Sequence, residues 1–392
     1  MTPAIALAPA PAGYTSSSLR RAAERYSGDT PVLILDVDTV RARYQAIYAA
    51  FPFARLYYAV KANPEASILR ALTELGASFD CASPAEIQGC LDAGAHPSTI
   101  SYTTTIKRSR DIASAYAMGV RLYAADTAAE IDKLAEHAPG SSLWVRIAVD
   151  NAGAATPFGQ KFGCEPNRAT ALLRRAQLRG LTPYGISCHV GSQQSDPSAW
   201  DRAISRAAGI YRDLAAEGIE LATINLGGGL PATYTGPVPP LSHYAAEIDD
   251  SLHRHFGNHR PAVILEPGRA MVASAGVIVT EVVQVSHRFG RRWIYLDIGR
   301  YGGLAETEGE AIIYPLLAQR EDLSVGPAIV AGPTADGDDV LYQRHQPELP
   351  LSLVAGDRIV IHVTGAYTAT YAAIAFNGIA PLRVTLTDTE AA

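Results

Sequence analysis

The sequence predicts an α/β protein, a (β/α)₈ barrel of the TIM type joined to a second, all-β domain. Between about residue 40 and residue 270, short β-rich runs alternate with longer stretches of helical spacing. There are eight such runs over roughly 230 residues, the number and length that a closed eightfold barrel needs. Beyond residue 270 the helical rhythm stops, and β-rich runs joined by turns take over.

The eight runs are LYYAV (56–60), SFDC (78–81), TISYT (99–103), RLYAA (121–125), LWVRIAV (143–149), YGISCHV (184–190), ATINL (222–226) and AVILE (262–266). Between them lie segments such as ASILRALTELG, PAEIQGCLDAG and SRDIASAYAMG. Many of these end at Gly, the residue that most easily takes the left-handed turn closing a helix. A doubly wound open sheet would not require eight units, and no GxGxxG follows the first strand. The later strands are GVIVTEVVQVSH, RRWIYLDIG, PAIVAG, DRIVIHVTG and LRVTLTD, and PVLILDV (31–37) reads as a strand able to pair with them. The barrel is therefore placed at 38–270. The all-β domain is built from both chain ends, 1–37 and 271–392.

The chain has 392 residues, 48% apolar and 18% charged, enough for a sizeable core and against global disorder. A net charge of −6 with no basic block argues against nucleic acid as a partner. Its four cysteines form no CxxC pair and no zinc spacing, so no metal site is expected and a reduced, cytoplasmic setting fits. The apolar N-terminus MTPAIALAPAPAG is broken by prolines and lacks a charged leader region, which reads as a frayed tail. No run of 18 apolar residues suggests a membrane span. There are only four lysines, Lys61, Lys107, Lys133 and Lys161, so any amine nucleophile comes from this set.

In a barrel of this kind the chemistry sits where the strands end. Lys61 ends the first strand and Asp80 the second; Arg146 lies within the fifth; His189 ends the sixth, with Ser192 just beyond. Gly227, Gly228 and Gly229 follow the seventh strand, and Glu266 ends the eighth ahead of Gly268 and Arg269. Taken singly, each has an ordinary explanation: a solvated lysine, a core histidine, a tight turn, a structural ion pair. Together they converge on one opening. Glycines after the seventh strand and an EPGR turn after the eighth suit a phosphate held by backbone N–H groups. An amine, a carboxylate for a heterocyclic nitrogen and an imidazole to stack on a ring complete the set a pyridoxal phosphate site needs.

YYAVKANP, FDCASPAEI, CHVGSQ, LGGGLP, EPGR, GPTADGDD and GAYTATYAAIAFNG occur in this order. The chain thereby resembles the fold-type III pyridoxal phosphate decarboxylases of ornithine, lysine, diaminopimelate and arginine, which share an alanine-racemase-like barrel. The resemblance runs from about residue 30 to 385, and GLAETEGEAIIYP is most similar to bacterial ornithine or lysine decarboxylases. It implies that Lys61 bonds the cofactor, that Asp80 and Arg146 help place it, and that His189 stacks on its ring. It also implies that Ser192, Gly228, Gly229, Gly268, Arg269 and Tyr367 hold the phosphate, and that Glu266 partners the pyridine nitrogen.

The resemblance further implies a homodimer with shared active sites. The GPTADGDD turn and the region of Phe376 and Asn377 would then serve the neighbouring subunit's site, with Asp336 on the distal ammonium of a diamino acid and Tyr301 beside it. Two positions depart from the family. Ala335 stands where those decarboxylases carry a cysteine thought to protonate the substrate Cα. Tyr314-Pro315 stands where the eukaryotic ornithine enzymes have Tyr-Asp, whose Asp also contacts the distal amine. Glu306, Asp336 or Asp339 would have to supply that contact. Without the thiol, the outcome after CO₂ loss is either an amine or, by protonation at the cofactor or attack by O₂, an aldehyde. A catalytically dead regulatory homologue is a third reading, and it predicts decay of the cofactor residues.

Overall fold

Alternation of inward and outward side chains decides what each strand buries, and it does so differently in the two halves of this protein. The structure is a computed structural model that describes residues 15–319 and 324–387; the N-terminal tail lies outside the described residues. The chain divides into two compact units. One comprises residues 43–231 and 238–268, the other 1–42, 232–237 and 269–392.

The first unit is a closed barrel of eight parallel strands. In order they are Ala54–Ala59, Ser78–Cys81, Ile100–Tyr102, Leu122–Ala125, Ser142–Arg146, Thr182–Ser187, Thr223–Asn225 and Ala262–Leu265. The eighth pairs with the first through Leu265 and Leu56, which closes the ring. Every strand expected from the sequence is present, and the open doubly wound sheet is excluded. The helices between strands begin where their caps say they should. Ser83 accepts from the Glu86 N–H and Thr127 from the Glu130 N–H, each satisfying an amide that the first turn leaves without a partner.

The barrel's interior is filled by large side chains from alternate positions. Trp144 is fully buried against Tyr57, Ala124 and Ile264, and its indole N–H donates to the Thr223 hydroxyl at 2.8 Å. Tyr57 meets the indole edge to face with ring centroids 6.3 Å apart. Because residues two apart share a face, Arg146 points the same way as Trp144, and Asp80 the same way as Ser78. The apolar layer therefore forms the floor on which the charged residues stand.

The second unit is organised on one long strand, Gly276–Arg288. The sheet runs Leu316–Ala318, Arg358–His362, Gly276–Arg288, Arg291–Leu296, Ile329–Ala331, Val340–Tyr342. Val32–Leu35 pairs antiparallel with the long strand and parallel with Arg383–Leu386, so both chain ends do enter this sheet. Leu19 and Ala23 of the helix Ser17–Arg25 cover Val32, Ile34, Val277, Val279 and Val360. Sequence reasoning missed the three-residue strands Leu316–Ala318, Val325–Pro327, Val340–Tyr342 and Glu348–Pro350, which are too short to show alternation.

Truncating the floor tests this layering. Trp144→Ala removes the largest buried ring of the barrel interior together with its hydrogen bond. It should lower the unfolding free energy by about 3–5 kcal/mol in a denaturant titration, and a loss below about 1 kcal/mol would show that the interior does not depend on it.

Candidate active site

The C-terminal ends of the barrel strands bring the predicted residues into one pocket. Lys61, Asp80, Thr103, Arg146, Ser187, Cys188, His189 and Glu266 line one small recess. Lys61 sits in a single helical turn, Val60–Ala62, directly after the first strand. The other three lysines are elsewhere. Lys107 and Lys133 both bind Glu130, at 3.0 and 2.6 Å, and Lys161 is exposed beside Phe162. Lys107 is further held by the carbonyls of Thr104 and Ala124.

Two carboxyl groups and two cations share this recess, Asp80 buried, Arg146 and Glu266 half-buried and Lys61 reaching solvent, and their charges are mutually dependent. Burial raises the Asp80 pKa, while Lys61, the Thr103 hydroxyl and Arg146 act to lower it. Burial and the neighbouring Asp80 push Glu266 up to about 8. His189 is driven well below its usual value, first by burial and then by the Arg146 and Lys61 charges. Its Nδ1 accepts from the Gly191 N–H at 3.0 Å, which fixes the neutral ring with its proton on Nε2. A neutral, flat imidazole is the form suited to stacking on an aromatic ring. Burial holds the Cys188 thiol up at about 12, so it is no nucleophile.

The glycine turn is bare backbone by necessity. A Cβ on Gly227 would stand 2.3 Å from the Cys188 carbonyl oxygen, and Gly227 has φ +67°. A Cβ on Gly228 would stand 2.7 Å from the Glu266 carbonyl oxygen and 3.1 Å from His189 Nε2. Among the described residues nothing accepts from the Gly228 or Gly229 N–H. Two adjacent donors without acceptors, beside an amine and a carboxylate, fit a phosphorylated pyridine aldehyde.

Sequence reasoning missed four residues here. Thr103 donates to Asp80. Phe158 comes from the loop between the fifth and sixth strands and meets the His189 ring edge to face at 4.5 Å. With Phe162 it also flanks the Arg146 guanidinium, at 5.9 and 5.2 Å. Asn225 is fully buried at the end of the seventh strand and donates to Glu266 Oε1 at 2.5 Å. None carries a charge, and in sequence each reads as an ordinary residue of a strand or loop.

The remaining candidates lie in the second unit. The Arg269 guanidinium is bidentate on Glu306, at 2.7 and 2.5 Å, donates to the Tyr234 hydroxyl at 2.8 Å, and lies 4.8 Å from the Tyr367 ring centre. Glu306 is thus buried and already neutralised, unlike the solvated loop residue its sequence context suggests. Asp339 is only 2% exposed; it accepts from the Arg300 N–H at 2.7 Å and from the Thr334 hydroxyl at 2.7 Å. A Cβ on either Gly299 or Gly332 would collide with its carboxylate. Asp339 therefore shapes the acidic turn from within. Asp336 is exposed, accepts from the Tyr301 hydroxyl at 3.1 Å and the Asp338 N–H at 2.9 Å, and has no cationic partner among the described residues. Ala335 is exposed, with its N–H held by Asn377 Oδ1 at 2.8 Å, and Phe376 packs on Tyr301 with centroids 4.5 Å apart. Among the described residues no cluster of three metal ligands occurs, and no helix is long and apolar enough to cross a membrane.

The Glu266 shift has a sign that stability can read. An acid whose folded pKa stands above its reference value of 4.5 stabilises fully below that pH, and loses the contribution as pH rises toward 8. Cofactor-free wild type should therefore lose stability relative to Glu266→Gln between about pH 5 and pH 8. Parallel stability profiles for the two proteins would exclude the raised value.

Known proteins resemble this chain over most of its length. Residues 37–273 match the family profile described as "Pyridoxal-dependent decarboxylase, pyridoxal binding domain". The lysine/ornithine decarboxylase of Selenomonas ruminantium is 34% identical over 351 residues, covering 89% of this chain and 87% of that protein. The crystal structure of the Vibrio vulnificus lysine/ornithine decarboxylase complexed with putrescine superposes with a TM-score of 0.84 at 30% identity, covering 95% of this chain and 99% of that one. Antizyme inhibitor 2 of Xenopus laevis is 30% identical over 362 residues, 88% of this chain and 78% of that protein. The lysine, the glycine turn and the buried carboxylate, together with these matches, place the chain in the pyridoxal-dependent decarboxylase family, with pyridoxal phosphate as its cofactor.

Proposed function

We propose that this protein decarboxylates a basic amino acid with two amino groups, ornithine or lysine, and that it works as a homodimer. The observation that carries the reading is the intact charged pocket, in which Lys61, Asp80, Arg146, His189 and Glu266 all converge. A regulator that had abandoned chemistry would have no need to gather two cations and two carboxyl groups, one of them buried, at a single recess.

Bound pyridoxal phosphate supplies an electron sink for the charge left at the substrate Cα when CO₂ departs. The chain supplies the rest. Lys61 would hold the cofactor through its amine. Glu266 would keep a proton on the pyridine nitrogen, His189 would stack on the ring, and Gly228 and Gly229 would offer N–H donors to the phosphate. Ser192, Gly268, Arg269 and Tyr367 are assigned to the same phosphate by the family pattern.

Asp336 is the carboxylate best suited to the distal ammonium. Glu306 is occupied by Arg269 and Asp339 by the turn itself, whereas Asp336 is exposed and unpaired by any cation among the described residues. We assign it, with Tyr301 and Phe376, to the site of the partner protomer. Asp336→Asn should lower kcat/KM for ornithine and lysine by about 10- to 100-fold, the worth of a charge-assisted contact. An unchanged value would remove Asp336 from the substrate.

Ala335 favours a second outcome of the same reaction. A methyl group delivers no proton, so the fate of the carbanion rests on another acid or on water. A barrier difference of about 1.4 kcal/mol between the two carbons changes the product ratio tenfold. Amine, aldehyde, H₂O₂ and pyridoxamine phosphate should be measured together. One amine per CO₂ establishes the simple decarboxylase; aldehyde that falls in Ala335→Cys while amine rises establishes the second outcome. No CO₂ from any L- or D-diamino acid would leave the regulatory role.

A further inference from the structure

We propose that Asn225 is a positioning residue of the cofactor site, which fixes the rotamer of Glu266 and favours its ionised form through one donated hydrogen bond. The proposal rests on the reading above that Glu266 serves the pyridine nitrogen.

The two ends of an asparagine amide are chemically different, and here their directions are set by a third group. The Gly227 N–H points at one end at 2.9 Å, and an N–H requires an acceptor, so that end is Oδ1. The NH₂ end must then face the other way, where Glu266 Oε1 stands at 2.5 Å. The backbone leaves the residue no freedom to exchange these roles. Its carbonyl accepts from the Cys188 N–H at 2.9 Å, and its side chain has no solvent exposure.

A one-way donor matters because of what else faces Glu266. Asp80 opposes a second negative charge, and burial opposes any charge. Lys61 and Arg146 favour ionisation, while Cys188 and neutral His189 contribute no counter-charge. Asn225 adds a hydrogen bond that only the carboxylate accepts at full strength. It takes Oε1 and so leaves Oε2 for the ring nitrogen. The same amide braces Gly227, and the next two residues of that turn carry the unpartnered N–H groups. One side chain thus ties the carboxylate for the pyridine end to the turn for the phosphate end.

A purely structural reading is available, since Oδ1 to the N–H two residues on is an ordinary Asx turn. Asparagine and aspartate serve that turn equally, and only asparagine donates to Glu266. Asn225→Asp therefore separates the two roles.

The test uses the carboxyl stretching band of Glu266 in cofactor-free protein, followed by infrared spectroscopy against pH and assigned by its absence in Glu266→Gln. Asn225→Asp and Asn225→Leu should each raise the titration midpoint by about one pH unit or more. Asn225→Leu should also raise the dissociation constant for free pyridoxal phosphate about tenfold or more at neutral pH, and should do so far less in a Glu266→Gln background. A midpoint unmoved in Asn225→Asp overturns the proposal, and so does an equal loss of affinity in both backgrounds. If Asn225→Leu does not fold, the aspartate variant still decides. Failure of the wild type to bind pyridoxal phosphate would overturn the functional reading instead, while the infrared titration would still report on Asn225.

Discussion

Mutual dependence of charge at the strand ends is the constraint on which the mouth of the barrel depends. Asp80 is buried and Arg146 and Glu266 are half-buried, so each needs an opposite charge or a donor beside it, whereas Lys61 reaches solvent. The cost of any one then falls on the geometry of the others, and the geometry is set from below by the Trp144 layer. His189 answers to the same surroundings. Burial, and after it two neighbouring cations, keep its ring uncharged, and an Nδ1 occupied by a backbone amide leaves it one tautomer. Phe158 then bounds the ring from the side.

The acidic turn Gly332–Asp339 divides its carboxylates between shape and contact. Asp339 is turned inward and gathers the Arg300 and Thr334 amides around itself, at the expense of any side chain on Gly299 or Gly332. Asp336 is thereby presented outward on a backbone that is already organised. A carboxylate bound to three donors makes a poor substrate ligand and a good scaffold, while its neighbour three residues away has the reverse properties. The same division holds for Glu306, which is absorbed into the Arg269 and Tyr234 cluster.

Much of this was legible in the sequence for identifiable reasons. A parallel barrel presents whatever follows each strand on one face, so a charge at the end of a β-rich run is already placed in space. Lys61, Asp80, His189 and Glu266 were found that way, and the Gly triplet announced backbone that nothing may crowd. The rest depended on direction, which a linear pattern does not encode. Asp336 and Asp339 look alike in sequence and point opposite ways. Asn225 reads as the end of an apolar run until the Gly227 amide fixes which end of it faces Glu266. Phe158 comes from a loop with no period, and the short strands of the second unit are shorter than one full alternation. Residues 232–237 belong with the second unit although they interrupt the barrel in sequence, because Tyr234 packs on Arg269 and Tyr314.

The pairing of Val32–Leu35 with Arg383–Leu386 has a consequence for how the protein is made. Val32–Leu35 must wait for a neighbour about 350 residues behind it. At typical elongation rates that interval is on the order of tens of seconds. The barrel, whose strands pair with near neighbours in sequence at every position but its closure, has time to assemble within it. During the wait Val32–Leu35 is an apolar edge with open amides, the kind of surface chaperones hold and aggregates recruit. Completion of this edge of the sheet is thus paced by the arrival of Arg383–Leu386.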